Sequence, residues 1–260
     1  MSGRLQDRRV LVTGGGRGIG RAIALLCVEE GAKVAIMART REELDAVAQE
    51  AKSKFNCHVV VVVADVMQED QVAAAISEAS QAMGGIDLLV NNAGGGSPKK
   101  PVHEQDIASF RKLLDLNVVS VLIVTNAVLN MCMLPAKRGD IINISSKAGK
   151  TGIPSISTYC ASKFALEGLT ATMALELKDQ GISVNSISPG MVDTSSFPKA
   201  PGRPGVRSPE SIKDGFLAML ESGRTGHYVH VDEFDAAVAL GKAAQAFKAI
   251  NEREFEVGNE

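Results

Sequence analysis

Val10-Leu11-Val12-Thr13-Gly14-Gly15-Gly16-Arg17-Gly18-Ile19-Gly20 is the stretch on which the reading of this chain turns. A β-branched run ends in a turn dense in glycine, and an apolar-periodic segment starts at Gly18. Glycine permits positive φ and adds no Cβ, so backbone N–H groups can close on a phosphate at the start of a helix. A glycine-rich turn alone is weak evidence, because ordinary tight turns use the same residues. Between a strand and a helix it reads as a cradle for the pyrophosphate of a dinucleotide.

The pattern outward from this unit is regular. Strands are expected at 10–13, 33–37, 58–63, 86–90, 140–144, 183–187 and 227–231, with helices at 18–30, 41–54, 69–83, 106–133 and 158–179. Uninterrupted apolar strands such as 59–63 imply burial on both faces, as in a parallel sheet between helical layers. Such alternation predicts βαβ units in a doubly wound sheet. One domain over 1–260 is expected. Met191 to Arg207, rich in Pro, Gly and basic residues, reads as a surface loop, and 191–215 as a substrate lid. The tail 233–260 is expected to be helical, packing on the body or on a neighbouring subunit.

Composition excludes several classes of function. With 45% hydrophobic and 22% charged residues the chain is of soluble globular type, and its net charge of -2 makes no case for nucleic acid or an anionic membrane. Cys27, Cys57, Cys132 and Cys160 lack CxxC spacing, and His227 and His230 would face opposite ways in a strand, so no metal site is expected. The polar start, Met1 to Arg9, does not read as a signal peptide, and unpaired thiols suit a reducing, cytoplasmic compartment. Residues 116–136 are charge-free, but Asn117, Ser120, Thr125, Asn126 and Asn130 interrupt them, and a buried core helix is expected rather than a membrane span.

Tyr159 and Lys163 carry the chemistry. On a helix, positions i and i+4 share a face, which places an ammonium beside a phenol. Acid–base work at neutral pH needs the Tyr lowered from about 10 by roughly 3 units, or about 4 kcal/mol. A cation at about 4 Å, at an effective dielectric of about 20, supplies on the order of 4 kcal/mol. The pair alone is weak, since such spacing usually reflects a packed ring and a solvated amine.

With these motifs in order, the chain resembles the short-chain dehydrogenase/reductase family from about Arg9 to Val231. The resemblance implies a Rossmann-type doubly wound parallel sheet of about seven strands with helices on both faces. Its glycine pattern falls on Gly14, Gly18 and Gly20, with Arg17 and Ile19 in the same loop. The acidic residue after the third strand, which holds the adenine, corresponds to Asp65, followed by Val66. The Asn-Asn-Ala-Gly motif is Asn91, Asn92, Ala93 and Gly94. Catalytic roles fall on Asn117, Ser146, Tyr159 and Lys163, with Ser146 preferred to Ser145 by its distance of 13 residues from the Tyr. Pro189, Gly190, Val192 and Thr194 fit the segment that holds the nicotinamide amide.

Charge argues for the cofactor. Ala38 stands where an NAD-preferring enzyme places an acid for the ribose 2′-hydroxyl, and Arg39 and Arg17 can reach that corner. A 2′-phosphate suits guanidinium groups, so NADP(H) is expected over NAD(H). The implied reaction is hydride transfer between NADP(H) and a carbonyl or alcohol. Tyr159 supplies the proton, Lys163 lowers the Tyr and binds the ribose, Ser146 holds the carbonyl oxygen, and Asn117 holds a water. Alternatives are 3-oxoacyl thioester reduction and a non-catalytic dinucleotide-binding sensor. Lys199, Arg203 and Arg207 of the lid read as solvated charges, and Ile153, Pro154, Ile156, Met191 and Phe197 as possible pocket walls. The final strand lacks the family's frequent Asp-Gly-Gly ending. A homodimer or homotetramer is implied, with 116–136 at an interface.

Overall fold

The structure, a computed structural model, describes residues 3–194 and 203–250. Its strands are β1 (Arg9–Thr13), β2 (Lys33–Ala38), β3 (Val59–Val63), β4 (Leu88–Asn91), β5 (Gly139–Ile144), β6 (Ile182–Ser188), β7 (Met191–Val192), β8 (Val206–Arg207), β9 (His227–His230) and β10 (Lys248–Ala249). Eight form one sheet in the order β10-β9-β6-β5-β4-β1-β2-β3, while β7 and β8 pair separately. The seven expected strands are all present and mutually parallel; β10 adds an antiparallel edge. The order reverses between β1 and β4, and the cleft above their C-terminal ends is where open α/β sheets take ligands.

Alternation of side chains sends neighbouring residues to opposite faces and builds two cores. Val10, Val12, Ile36, Val90, Ile142 and Ile187 pack beneath α1 (Gly18–Glu29), α2 (Arg41–Phe55), α8 (Lys213–Glu221) and α9 (Val231–Ala239). Leu11, Ala35, Met37, Leu89, Ile141 and Val184 face α3 (Glu69–Met83), α5 (Ser120–Val128) and α7 (Ser157–Leu177). Full burial of a Val, Leu or Ile side chain contributes about 1.5–3 kcal/mol, so a sheet covered on both sides needs the uninterrupted apolar strands seen here.

The apolar segment after β4 is a continuous helical rod, Ile107–Ala136. Within it α4 (Ile107–Leu114), α5 and α6 (Leu134–Ala136) are joined by π-helical turns at Asp115–Val119 and Leu129–Met133. Asp106 caps its start by accepting from the Ser109 amide at 2.7 Å. By length and composition the rod could cross a membrane. Here Val121, Val124 and Val128 are buried, while Val119, Leu122 and Met131 are 46%, 41% and 44% exposed. The expected core helix is thus buried along one face only.

Two expectations are corrected. The helical tail stops at Ala239; a 3-10 turn at Ala243–Ala246 and β10 follow, with residues 251–260 outside the described residues. Gly241, at φ 69, turns the chain back, and Phe247 meets Phe234 in a tilted contact at 5.8 Å between ring centres. The stretch 191–207 is not a plain loop either, because β7 and β8 pair at its base and the Asp193 amide donates to the Arg207 carbonyl at 3.0 Å. Phe197 and Lys199 lie outside the described residues.

Candidate active site

The glycine turn is clasped by the end of β4. Thr13 Oγ1 accepts from the amides of Asn92 and Ala93, both at 3.0 Å. Asn92 Nδ2 donates to the Thr13 carbonyl at 2.9 Å and the Gly14 carbonyl at 3.2 Å. Gly14 adopts φ 64, and a Cβ on Gly20 would lie 2.2 Å from the Gly14 carbonyl oxygen. These glycines are therefore set by geometry. Arg17, in extended conformation, makes no side-chain cap to α1, which leaves the first-turn amides to an incoming anion. Ile19 anchors the turn on the core.

The remaining positions of the binding set gather at the same end. A Cβ on Gly18 would lie 3.2 Å from Thr194, so the segment after β6 reaches the glycine turn. Pro189 and Val192 are buried, and Gly190, at φ 78, packs on the Asp232 carboxylate. Val66 is buried, while Asp65 Oδ1 accepts from the Met67 amide at 3.0 Å. Asp65 also lies 3.8 Å from Arg39, and Arg17 lies 3.2 Å from Glu43. Each arginine at the ribose corner thus faces a carboxylate.

Asn117, Ser146, Tyr159 and Lys163 converge from three elements. Ser146 caps the 3-10 turn after β5, its Oγ accepting from the Ala148 amide at 3.2 Å, and it lies close enough to the Tyr159 phenol to favour its ionised form. The neighbouring Ser145 is buried away from this contact. Lys163 is 7% exposed; its Nζ donates to the Ile144 carbonyl at 2.9 Å and lies 5.9 Å from the centre of the Tyr159 ring. Burial brings the Lys163 amine down to about 8, with Glu167 opposing. Burial also pushes the Tyr159 phenol up, and Ser146 only partly offsets it. The expected lowering of the Tyr is not seen in this arrangement, where burial is the largest influence on the phenol.

Asn117 sits in the first π-helical turn, a distortion frequent at functional sites. Its Oδ1 accepts from the Gly95 amide at 2.8 Å, while its Nδ2 donates to the Gly95 carbonyl at 2.9 Å and Ser162 Oγ at 3.0 Å. With both ends of the amide engaged, the side chain clamps the loop after Gly94 to α7. Sequence reasoning missed the Thr13 clasp, Ser162 and Glu167. Only Glu167 had a signal, since 159, 163 and 167 repeat the helical spacing.

The turn at positive φ, the uncapped start of α1 and the approach of Thr194 fit an anionic dinucleotide at the switch point of a parallel sheet. Residues 8–202 match the family described as short chain dehydrogenase. A 3-alpha-(or 20-beta)-hydroxysteroid dehydrogenase of Mycobacterium tuberculosis is 42% identical over 195 residues, covering 75% of this chain and 72% of that protein. An NAD+-bound xylitol dehydrogenase superposes with a TM-score of 0.78 at 30% identity, over 87% of this chain and 98% of its own. A short-chain dehydrogenase from Shigella flexneri complexed with NADP superposes at 0.81 and 26% identity, over 89% of this chain and 100% of its own. The chain belongs to the short-chain dehydrogenase/reductase family of oxidoreductases.

Proposed function

We propose that the protein is an NADP(H)-dependent carbonyl reductase or alcohol dehydrogenase working through Ser146, Tyr159 and Lys163. The observation that carries this is the Tyr159 ring beside the buried Lys163, whose Nζ lies 5.9 Å from the ring centre, with Ser146 on the phenol side. When bound, the nicotinamide supplies hydride to a carbonyl carbon in reduction, or accepts it in oxidation. Tyr159 gives its proton to the carbonyl oxygen, and the alcohol forms. Burial keeps the phenol protonated and makes it a weaker acid, so the charge on Lys163 has to offset that cost as the proton leaves. Ser146 donates a hydrogen bond to the same oxygen as charge develops there. Lys163, charged below about 8, stabilises the phenolate left behind. Asn117 fixes Gly95 and Ser162 around this group.

The 2′-phosphate preference rests on Ala38, Arg17 and Arg39. Both arginines are more than half exposed, and exposed ion pairs contribute about 0.2–1 kcal/mol, so exchanging Glu43 and Asp65 for a phosphate costs little. Val119, Leu122 and Met131 on the rod, with Phe164 and Leu175 on α7, present apolar side chains for a homodimer or homotetramer. Four unpaired cysteines support a cytoplasmic setting.

The test is NADPH oxidation against aldehydes, aliphatic and aromatic ketones, diketones and a 3-oxoacyl thioester, with Tyr159→Phe in parallel. A signal that vanishes in the variant supports the reading, and one that survives overturns it. Equal dissociation constants for NADH and NADPH would overturn the cofactor preference.

A further inference from the structure

Behind the proposed catalytic pair lies a buried carboxylate that the reaction does not use. Tyr159, Lys163 and Glu167 succeed one another at single turns along one face of α7. Glu167 is 4% exposed. Its Oε2 accepts from Lys150 Nζ and from Ser186 Oγ, both at 3.0 Å. Its Oε1 and the neighbouring Ser145 Oγ are buried with no hydrogen-bond partner among the described residues.

The packing is built to admit this group. A Cβ on Gly149 would lie 2.9 Å from the Lys163 carbonyl oxygen and 3.1 Å from both Glu167 Cγ and Ser145 Oγ. Only a residue without a side chain lets the turn after β5 lie so close to α7. That turn delivers Lys150, a third exposed, whose Nζ also stands 4.9 Å over the buried Tyr228 ring. A carboxylate buried solely for stability is a poor arrangement, since an apolar replacement does as well or better. An incompletely satisfied one, a turn away from a buried ammonium, has an electrostatic consequence.

We propose that Glu167 is a positioning residue for the Tyr159–Lys163 pair. Its carboxylate holds the Lys163 ammonium charged on the Ile144 carbonyl, and Lys150 sets how much of that negative charge Lys163 feels. Glu167 is the carboxylate that opposes the desolvation of Lys163. The other ionisable groups set against the two are Tyr159 from α7, Lys150 from the turn and Tyr228 from β9. Neutral Ser145, just after β5, and Ser186 from β6 complete the surroundings of Glu167. The consequence for turnover rests on the reductase reading; the titration of Lys163 does not.

The experiment is an NMR titration of the full chain carrying 13Cε-labelled lysine, without cofactor, with the Lys163 signal assigned from Lys163→Arg. Glu167→Gln should move the Lys163 midpoint down from about 8 by about one pH unit. Lys150→Met should move it up, because the carboxylate then acts unscreened. An unmoved midpoint in Glu167→Gln, or shifts of the same sign in both variants, overturns the proposal. Should Glu167→Gln fail to fold, Glu167→Asp decides: drawing the carboxylate back by one methylene should move the Lys163 midpoint down by a smaller amount, and no shift or an upward one sinks the proposal. With a reducible substrate, the alkaline limb of kcat/KM should shift in the same order. Silence across the carbonyl panel would defeat the reductase reading and leave the titration result standing.

Discussion

The two ends of the sheet carry charge in opposite ways. At the N-terminal ends of the strands, Asp87 accepts from Arg8 and Arg9 at 3.1 and 2.8 Å, and Arg138 lies 3.6 Å away. Arg8 continues to Asp140 at 2.6 Å, which Ser183 also bonds. At the C-terminal ends, Glu167 Oε1 and Ser145 Oγ have no hydrogen-bond partner among the described residues, and α1 begins without a side-chain cap. A cavity of about 590 Å³ lies at the first end, lined by Arg8, Asp87, Arg138 and Asp140. The family motifs lie at the second. Polar groups that satisfy one another build structure, whereas those left incomplete lie where the family motifs gather.

Substitutions at each end should break or sharpen that contrast. The largest effect is expected at the upper end, where Tyr159→Phe should lower kcat by about 10²–10⁴ and leave cofactor affinity and Tm near native. Smaller but specific is the pH dependence of reduction. Lys163 is charged below about 8 and Tyr159 is held protonated to higher pH, so kcat/KM should be flat below about 8. Above it, the fall should approach tenfold per pH unit as the ammonium is lost, and a profile flat through strongly alkaline pH would contradict this. The smallest catalytic effect belongs to the lower end. Asp87→Asn removes the charge shared by three arginines and should cost about 3 kcal/mol of stability, seen as a lower Tm, with kcat/KM unchanged. A kinetic effect there would erase the distinction between the ends.

The last part of the chain was harder to read than the first. From β1 to β6 the strands and long helices follow from local periodicity and glycine punctuation, and the observed bounds differ from expectation by three residues at most. After Ala239 the apolar residues Ala243 and Phe247 fit a helix equally well, and what overrides that pattern is tertiary: Phe247 meets Phe234, and Lys248 pairs with Tyr228 on a strand edge. A short edge strand has no periodicity of its own.

Sequence by itself determined the parallel sheet, the glycine turn, the order of motifs and the shared face of Tyr159 and Lys163, because each depends on residues within a few turns of one another. Tertiary structure alone decided that Asn117 clamps Gly95, that Arg17 and Arg39 face carboxylates, and that burial sets the Tyr159 phenol. It also decided that Asn91, Asn143, Ser186 and Tyr228 line up across four strands on the face that α7 covers. The physical reason is register: side chains alternate with period two, so which polar groups share a face is set by how distant strands align, and no local stretch of chain contains that information.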